Sequence, residues 1–256
     1  MTFPVLEGKT AIVTGAAKGM GAATALLFAE AKAKVVVADI DEKLGRQTVA
    51  EIEAAGGTAI FHRVDISSSE DVAGLVAATV ERFGRLDVAI NNAALTPDDR
   101  PIADLDEDYW DRLIAIDLKG TALCMKHEIR QLLAQGDGGS IVNISSVSGF
   151  RPQPNNAAYV AAKHGVVGLT KTAAMENGGK GIRINSVAPG AIDTPMLRGA
   201  LEQFGFDEHE YAAQLSLLER FGEAREVAQA SLWLASDLSS YVTGTTLHVD
   251  AGYTSR

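Results

Sequence analysis

The chain has 256 residues, 46% hydrophobic and 22% charged, and 23 basic against 33 acidic side chains give it a formal charge of −10. That length can bury a large core in one unit, while the negative field repels phosphate backbones and excludes nucleic acid as a main partner. The single cysteine, Cys124, rules out an internal disulfide and a Cys-rich metal site, so no metal is expected.

No apolar run approaches the ~18 residues a membrane helix needs. The stretch from Met1 to Glu7 has neither the basic start nor the apolar core of a secretion signal. The expectation is a protein of the reducing cytoplasm with no membrane partner, and with Cys124 as a buried structural thiol.

In chain order, an apolar strand over 10–13 runs into Gly15, and a helix follows over 20–32. A second strand over 34–39 is β-branched and unbroken, as in a strand buried on both faces. A polar helix over 41–55 is stopped by Gly56 and Gly57. The rhythm continues with strands over 59–64, 86–90, 139–144 and 182–187. Between them the pattern predicts helices over 69–83, 105–135 and 159–176. Alternating units of this kind define an α/β fold with a doubly wound parallel sheet, Rossmann-like. Proline is scarce and no linker interrupts the chain, so residues 1–256 read as a single domain.

Residues 189–221 break the rhythm. They carry Met196, Leu197, Leu201, Phe204, Phe206, Tyr211, Leu215 and Leu218 with no strand among them. Two readings stay open and are compatible: a helical hairpin packed on the core, or a lid over a substrate pocket, formed by 193–221.

The segment Thr14-Gly15-Ala16-Ala17-Lys18-Gly19-Met20-Gly21 lies where the first strand meets the first helix. Its glycines follow Gly-x-x-x-Gly-x-Gly rather than Gly-x-Gly-x-x-Gly. The physics is shared: a tight turn lacking Cβ atoms lets a pyrophosphate approach the positive end of a helix dipole. Plain turn chemistry is the alternative, and the position between a buried strand and a helix favours the dinucleotide. Asp39 ends the second strand about 20 residues further on, where a carboxylate accepts both adenosine ribose hydroxyls. Its alternative is an aspartate that opens the turn before Asp41.

Further motifs follow: Asp65-Ile66, Asn91-Asn92-Ala93-Ala94, Ser145-Ser146, Tyr159-x-x-x-Lys163, Pro189-Gly190-Ala191-Ile192-Asp193-Thr194 and Val249-Asp250-Ala251-Gly252. In this order and spacing the chain resembles the short-chain dehydrogenase/reductase family from about Leu6 to Tyr253. Within the family it is similar to NAD-dependent cyclic-diol and hydroxysteroid dehydrogenases. Ala94 stands where the family's Asn-Asn-Ala-Gly motif has glycine. The resemblance implies a dinucleotide site made of Gly15, Lys18, Gly19, Met20, Gly21, Asp39, Asp65, Ile66, Asn92, Ala93, Tyr159, Lys163, Pro189, Gly190, Ile192 and Thr194. In it, Asp65 and Ile66 contact adenine, Asn92 lines the cleft, and Ile192 and Thr194 hold the nicotinamide carboxamide. Lys163 binds the nicotinamide ribose. A homotetramer, less often a dimer, is the implied assembly.

Tyr159 and Lys163 are four apart and share one helix face. A free tyrosine titrates near ~10 and is a poor base at neutral pH. A nearby ammonium and a positive nicotinamide ring both favour phenolate. Ser146, at a strand's carboxyl end, is placed to hydrogen-bond the substrate oxygen. The alternative for Tyr-x-x-x-Lys is an ordinary amphipathic face, disfavoured here by Ser146 and the cofactor loop on the same chain. His164, next to Lys163, points about ~100° away around the helix and reads as packing or surface.

Asp117, in Ile116-Asp117-Leu118-Lys119-Gly120, stands where the family has an asparagine implied to hold a relay water beside the lysine. Aspartate keeps the acceptor and loses the amide donor. Either Asp117 serves the relay or the relay runs differently. Lys18 is a second ambiguity, since a basic residue there attracts an adenosine 2′-phosphate.

The expected activity is hydride transfer between NAD and a neutral secondary alcohol or ketone, cyclic or aryl-substituted, by Ser146, Tyr159, Lys163 and Asp117. Leu95, Val147, Phe150, Gln153, Asn156 and the 193–221 region would shape its pocket. Arg151 is the cation placed to pair an acidic substrate. Two alternatives remain. One is a 3-oxoacyl-[acyl-carrier-protein] reductase, whose acidic partner protein is disfavoured by a charge of −10. The other is a catalytically silent dinucleotide sensor or scaffold.

Overall fold

The computed structural model describes residues 3–255. Its centre is a seven-stranded parallel sheet of β1 (Thr10–Thr14), β2 (Lys34–Asp39), β3 (Thr58–Arg63), β4 (Val88–Asn91), β5 (Gly139–Ile144), β6 (Ile182–Pro189) and an edge strand, Thr246–Val249. The short strands β7 (Ile192–Asp193) and β8 (Gly222–Glu223) pair with each other outside this sheet, which makes the edge strand β9. The order is β3-β2-β1-β4-β5-β6-β9. After β3 the chain crosses back over β1 to begin β4, so the sheet reverses direction between β1 and β4. Open α/β sheets bind ligands at such a switch point, outside the carboxyl ends of the strands.

Alternation along each strand sends successive side chains to opposite faces. Ala11, Val13, Val35 and Val37 pack on one side with Phe28 of α1 (Gly19–Glu30), Ile52 of α2 (Glu42–Ala54) and Val227 and Leu234 of α9 (Ala224–Ala235). Ile12, Val36 and Ala38 face the other side. There they meet Leu75 of α3 (Ser69–Phe83), Met125 and Leu132 of α5 (Thr121–Gln135) and Ala173 of α6 (Ala157–Asn177). Cys124 is fully buried in this second layer, as a structural thiol should be. Both faces are thus dry, which explains the unbroken apolar strands.

Three stretches differ from the sequence expectation. The single helix expected over 105–135 starts as α4 (Glu107–Leu113), capped by Asp106, whose Oδ1 accepts from Tyr109 N at 3.1 Å. It then widens into a π-helical turn over Ile114–Gly120 before α5. The wide turn carries Asp117 into the interior, where Oδ1 accepts from Leu95 N at 2.8 Å. Gly120 rests on Ile66 there, so that an added Cβ would lie 2.8 Å from Ile66 Cδ1. A π-helical turn has no residue-type signature of its own, so the sequence pattern does not mark it.

Between 189 and 221, where no strand is expected, lies β7, which pairs with β8 just beyond, and two residues are too few to show alternation. The remainder forms α7 (Pro195–Phe204) and α8 (Glu208–Leu215), the helical hairpin among the two readings. Finally, α9 and β9 complete the sheet and one helical layer, although the rhythm of the sequence ran out before them.

Candidate active site

The glycine loop closes around the switch point. Gly15 has φ +65°, and an added Cβ would lie 2.7 Å from Ala93 Cα. At Gly21 it would lie 2.1 Å from the Gly15 carbonyl oxygen. Both glycines let β1, α1 and the end of β4 touch backbone to backbone. Asn92 stitches that contact: its Nδ2 donates to the carbonyls of Thr14 at 2.9 Å and Gly15 at 3.1 Å. Thr14 Oγ1 in turn accepts from the amides of Asn92 and Ala93. Gly19 differs, since nothing lies closer than 3.7 Å to its added Cβ, and the nearest atoms belong to Thr194. Lys18, at the cap of α1, offers no side-chain cap to the helix amides. Open space over an uncapped helix start suits a pyrophosphate.

Asp39 is built into the same loop. Its Oδ2 accepts from Ala17 N at 2.9 Å and its Oδ1 from Asp41 N at 3.0 Å, which fastens the end of β2 to the glycine loop. The bond from Asp41 N matches the turn reading of Asp39. Asp65 Oδ1 accepts from both the amide and hydroxyl of Ser67, and Ile66 is buried beside it. At the far end of the crevice, Ile192 is buried and Thr194 caps α7, its Oγ1 accepting from Leu197 N at 3.4 Å. Pro189 ends β6, and Gly190 rests on Asp250, where an added Cβ would meet Cα at 2.8 Å.

Ser146, Tyr159, Lys163 and Asp117 come together from three elements. Strand β5 stops at Ile144, two residues before Ser146, which opens a short 3₁₀ turn with its Oγ accepting from Ser148 N at 3.1 Å. Tyr159 and Lys163 lie one turn apart on α6, with Lys163 Nζ 5.2 Å from the centre of the Tyr159 ring. Lys163 is 2% exposed and is held twice by its ammonium: it donates to the Ile144 carbonyl at 3.3 Å and pairs with Asp117 Oδ2 at 3.3 Å. The Ser145 hydroxyl donates to the Lys163 carbonyl at 3.1 Å. Asp117 itself is fully buried. The residue where the family has a relay asparagine is thus an ion-pair partner of the lysine. His164 is exposed and bonds its own helix at Val160, as a surface residue.

The ion pair changes the electrostatics that the sequence suggests. Burial pushes the Tyr159 hydroxyl above its ordinary value; Lys163 pulls it down, Asp117 pushes it up again, and a hydrogen bond with Ser146 pulls it down. The net direction is up because burial outweighs the pull of Lys163, and Asp117 adds to it by offsetting part of the lysine charge. Burial would also lower Lys163, but Asp117 and Tyr159 hold it above its ordinary value, so it stays an ammonium. Asp117 is raised by burial against the pull of Lys163 and the Leu95 amide.

Beside this cluster opens a cavity of about 800 Å³. Ser146, Tyr159, Met20, Pro189, Gly190, Ile192 and Thr194 line its catalytic end, and Met196, Leu197, Phe204, Phe206, Tyr211 and Leu215 its outer wall. Of the residues expected to shape the pocket, Val147, Gln153 and Asn156 do so. Phe150 instead packs on the His248 ring at 4.5 Å, and Leu95 lies in a cluster with Leu113 behind Tyr159. Arg151 stacks over the Tyr253 ring at 4.8 Å, and the cation on the cavity wall is Arg100. The loop of Thr96, Pro97, Asp98 and Asp99 completes the wall. Nothing in the sequence singled it out, although its place just after the Asn-Asn-Ala-Ala motif was a usable signal.

A doubly wound sheet with a glycine cradle at its switch point, and a Ser–Tyr–Lys cluster facing an apolar cavity, defines a dinucleotide-linked oxidoreductase. The comparisons agree. A family model described as enoyl-(acyl carrier protein) reductase matches residues 15–254. A short chain dehydrogenase/reductase of Aspergillus oryzae is 52% identical, covering 96% of this chain and 95% of that protein. A 2,5-dichloro-2,5-cyclohexadiene-1,4-diol dehydrogenase of Sphingobium indicum is 45% identical, covering 97% and 98%. The crystal structure of carveol dehydrogenase from Mycobacterium avium in complex with NAD superposes with a TM-score of 0.94 at 31% identity, covering 98% of this chain and 99% of that one. The chain belongs to the short-chain dehydrogenase/reductase family. Among the described residues no helix is long and apolar enough to cross a membrane.

Proposed function

We propose that the chain interconverts a neutral, cyclic or aryl-substituted secondary alcohol and its ketone, with NAD as hydride carrier. The observation that carries this reading is the Ser146–Tyr159–Lys163 cluster at the end of an apolar cavity. Ser146 hydrogen-bonds the substrate oxygen and steadies charge developing there. Tyr159 takes the alcohol proton in oxidation and returns it in reduction. Lys163 holds the tyrosine's electrostatic environment and reaches the nicotinamide ribose. When bound, the nicotinamide supplies the hydride acceptor and a positive ring. The residues from 193 to 221 act as a lid: Met196, Phe204 and Phe206 are exposed apolar side chains on the cavity wall, and an apolar substrate gives them cover at ~25 cal/mol per Å². As assembly we infer a homotetramer in the cytoplasm, on the strength of the family resemblance. Turnover of a panel of cyclic alcohols with NAD tests the reading. Activity confined to acyl-carrier substrates, or dinucleotide binding without any turnover, would replace it with one of the two alternatives.

The charge on the cavity wall predicts how substrates are sorted. Asp98, Asp99 and Asp106 line this wall, and among the described residues the one cation there is Arg100, whose Nη1 is already 3.9 Å from Asp106 Oδ2. A carboxylate entering this wall meets net negative charge and loses hydration without a partner, a cost of several kcal/mol. A cyclic alcohol should therefore exceed its carboxylated analogue by about 10-fold or more in kcat/KM, since ~1.4 kcal/mol is tenfold. A preference for the carboxylate that disappears in Arg100→Ala or Arg151→Ala would overturn the neutral-substrate reading.

Cofactor choice follows from Asp39. An adenosine 2′-phosphate beside that carboxylate places like charges together, worth ~4 kcal/mol at about 4 Å near a protein surface. Lys18 offsets part of this, so kcat/KM should favour NAD over NADP by about 10²-fold rather than absolutely. Asp39→Ala should shrink the ratio. Equal efficiencies in the wild type would remove the assignment.

A further inference from the structure

Helix α6 carries both Tyr159 and Lys163, yet its own cap leaves the first turn unserved. Asn156 stands there at φ −119° and ψ 42°, with no side-chain bond to a helix amide. The first amides of a helix need acceptors. They are supplied from across the fold: Asp98 Oδ2 accepts from Ala158 N at 3.0 Å and Oδ1 from Tyr159 N at 3.0 Å. The same loop is fastened to this corner twice more. Asn156 Nδ2 donates to the Asp98 carbonyl, and Arg100 pairs with Asn156 in an isolated parallel bridge. On its other side the loop meets the α7–α8 hairpin, where Asp99 Oδ2 accepts from Gln203 Nε2 at 3.2 Å.

We infer that Asp98 is a positioning residue for the reaction: by gripping the Tyr159 amide it fixes where the tyrosine hydroxyl stands at the substrate cavity. Two charge-assisted bonds to adjacent amides hold the helix end against both sliding and rotation, as a one-oxygen cap does not. The carboxylate also sits at the favourable end of the helix dipole. Lys163, one turn further in, is held separately by Ile144, Asp117 and Ser145. Loosening the start of α6 therefore displaces Tyr159 and leaves Lys163 in place. The chemistry and the cofactor site should separate when Asp98 is lost.

This inference rests on Tyr159 as the acid–base group, so the experiment carries Tyr159→Phe as a companion. Full-length Asp98→Ala and Asp98→Asn are compared with wild type for kcat, KM, NADH affinity by fluorescence titration, and thermal unfolding. Asp98→Ala should lose about 10–100-fold in kcat, because a misplacement of ~1 Å at a reacting group costs up to ~10²-fold. Its NADH affinity should stay within about threefold of wild type, a change below ~0.7 kcal/mol. Asp98→Asn should fall between, since its one oxygen serves one amide while its NH₂ faces the other. A purely structural cap would lower the unfolding temperature and leave kcat unchanged at temperatures where the variant is folded. Wild-type kcat in Asp98→Ala, or NADH affinity falling in step with kcat, overturns the inference; if Asp98→Ala does not fold, Asp98→Asn is read by the same criteria. A fully active Tyr159→Phe removes the acid–base reading underneath. An inactive Tyr159→Phe beside a fully active Asp98→Ala removes the Asp98 inference alone.

Discussion

Tyr159→Phe should lose about 10²–10⁴ in kcat, the range a positioned acid–base group supplies. The substitution isolates the hydroxyl. The ring remains to face Lys163 Nζ, 5.2 Å from its centre, and the Lys163–Asp117 pair at 3.3 Å is untouched. Only the hydrogen bond with Ser146 is lost, and deleting one such bond changes stability by about 1 kcal/mol. NADH binding should therefore persist within a few-fold while turnover collapses. Fluorescence titration and steady-state rates on the same preparation decide the matter. Near-wild-type turnover in this variant would remove the proposed chemistry altogether.

The strands and most helices were legible because burial on both faces forces apolar runs, as in 34–39, and glycine stops are chemically explicit, as at Gly56 and Gly57. The crevice was legible for a related reason: Gly15 and Gly21 occupy places where a Cβ would collide with backbone, so the chain must show glycine there. What escaped reading lies in long-range contacts. No local pattern says that Asp98 bonds amides 60 and 61 positions away, or that the 114–120 turn widens to bring Asp117 to Lys163. The upward push on the Tyr159 hydroxyl was not legible for the same reason. Lys163 and a nicotinamide ring both favour phenolate, and only the fold shows the burial that opposes them and the buried carboxylate that shares the lysine's charge.

Asp117 makes the second large effect, and two substitutions separate its structural and electrostatic parts. Asp117→Ala leaves the Leu95 amide without its 2.8 Å acceptor and Lys163 buried with only the Ile144 carbonyl. Removing one partner of a buried pair costs about 3–5 kcal/mol, so this variant should unfold at a clearly lower temperature and lose activity. Asp117→Asn restores the family's usual residue, keeps an oxygen for Leu95, and replaces the charged Oδ2 beside Lys163 with a neutral NH₂. Asp117 is one of the forces that raise the Tyr159 hydroxyl, so its neutralisation lowers that hydroxyl's pKa. The sign carries through to the rate: phenolate then forms at lower pH, and the rising limb of alcohol oxidation moves down the pH scale. In the reducing direction, where Tyr159 must give up a proton, the falling limb should move down by the same amount. Profiles of kcat against pH in both directions, for wild type and Asp117→Asn, provide the measurement. Superimposable profiles would show that Asp117 does not set the tyrosine's proton affinity, and an Asp117→Ala enzyme of wild-type stability would show that the pair contributes nothing to the fold.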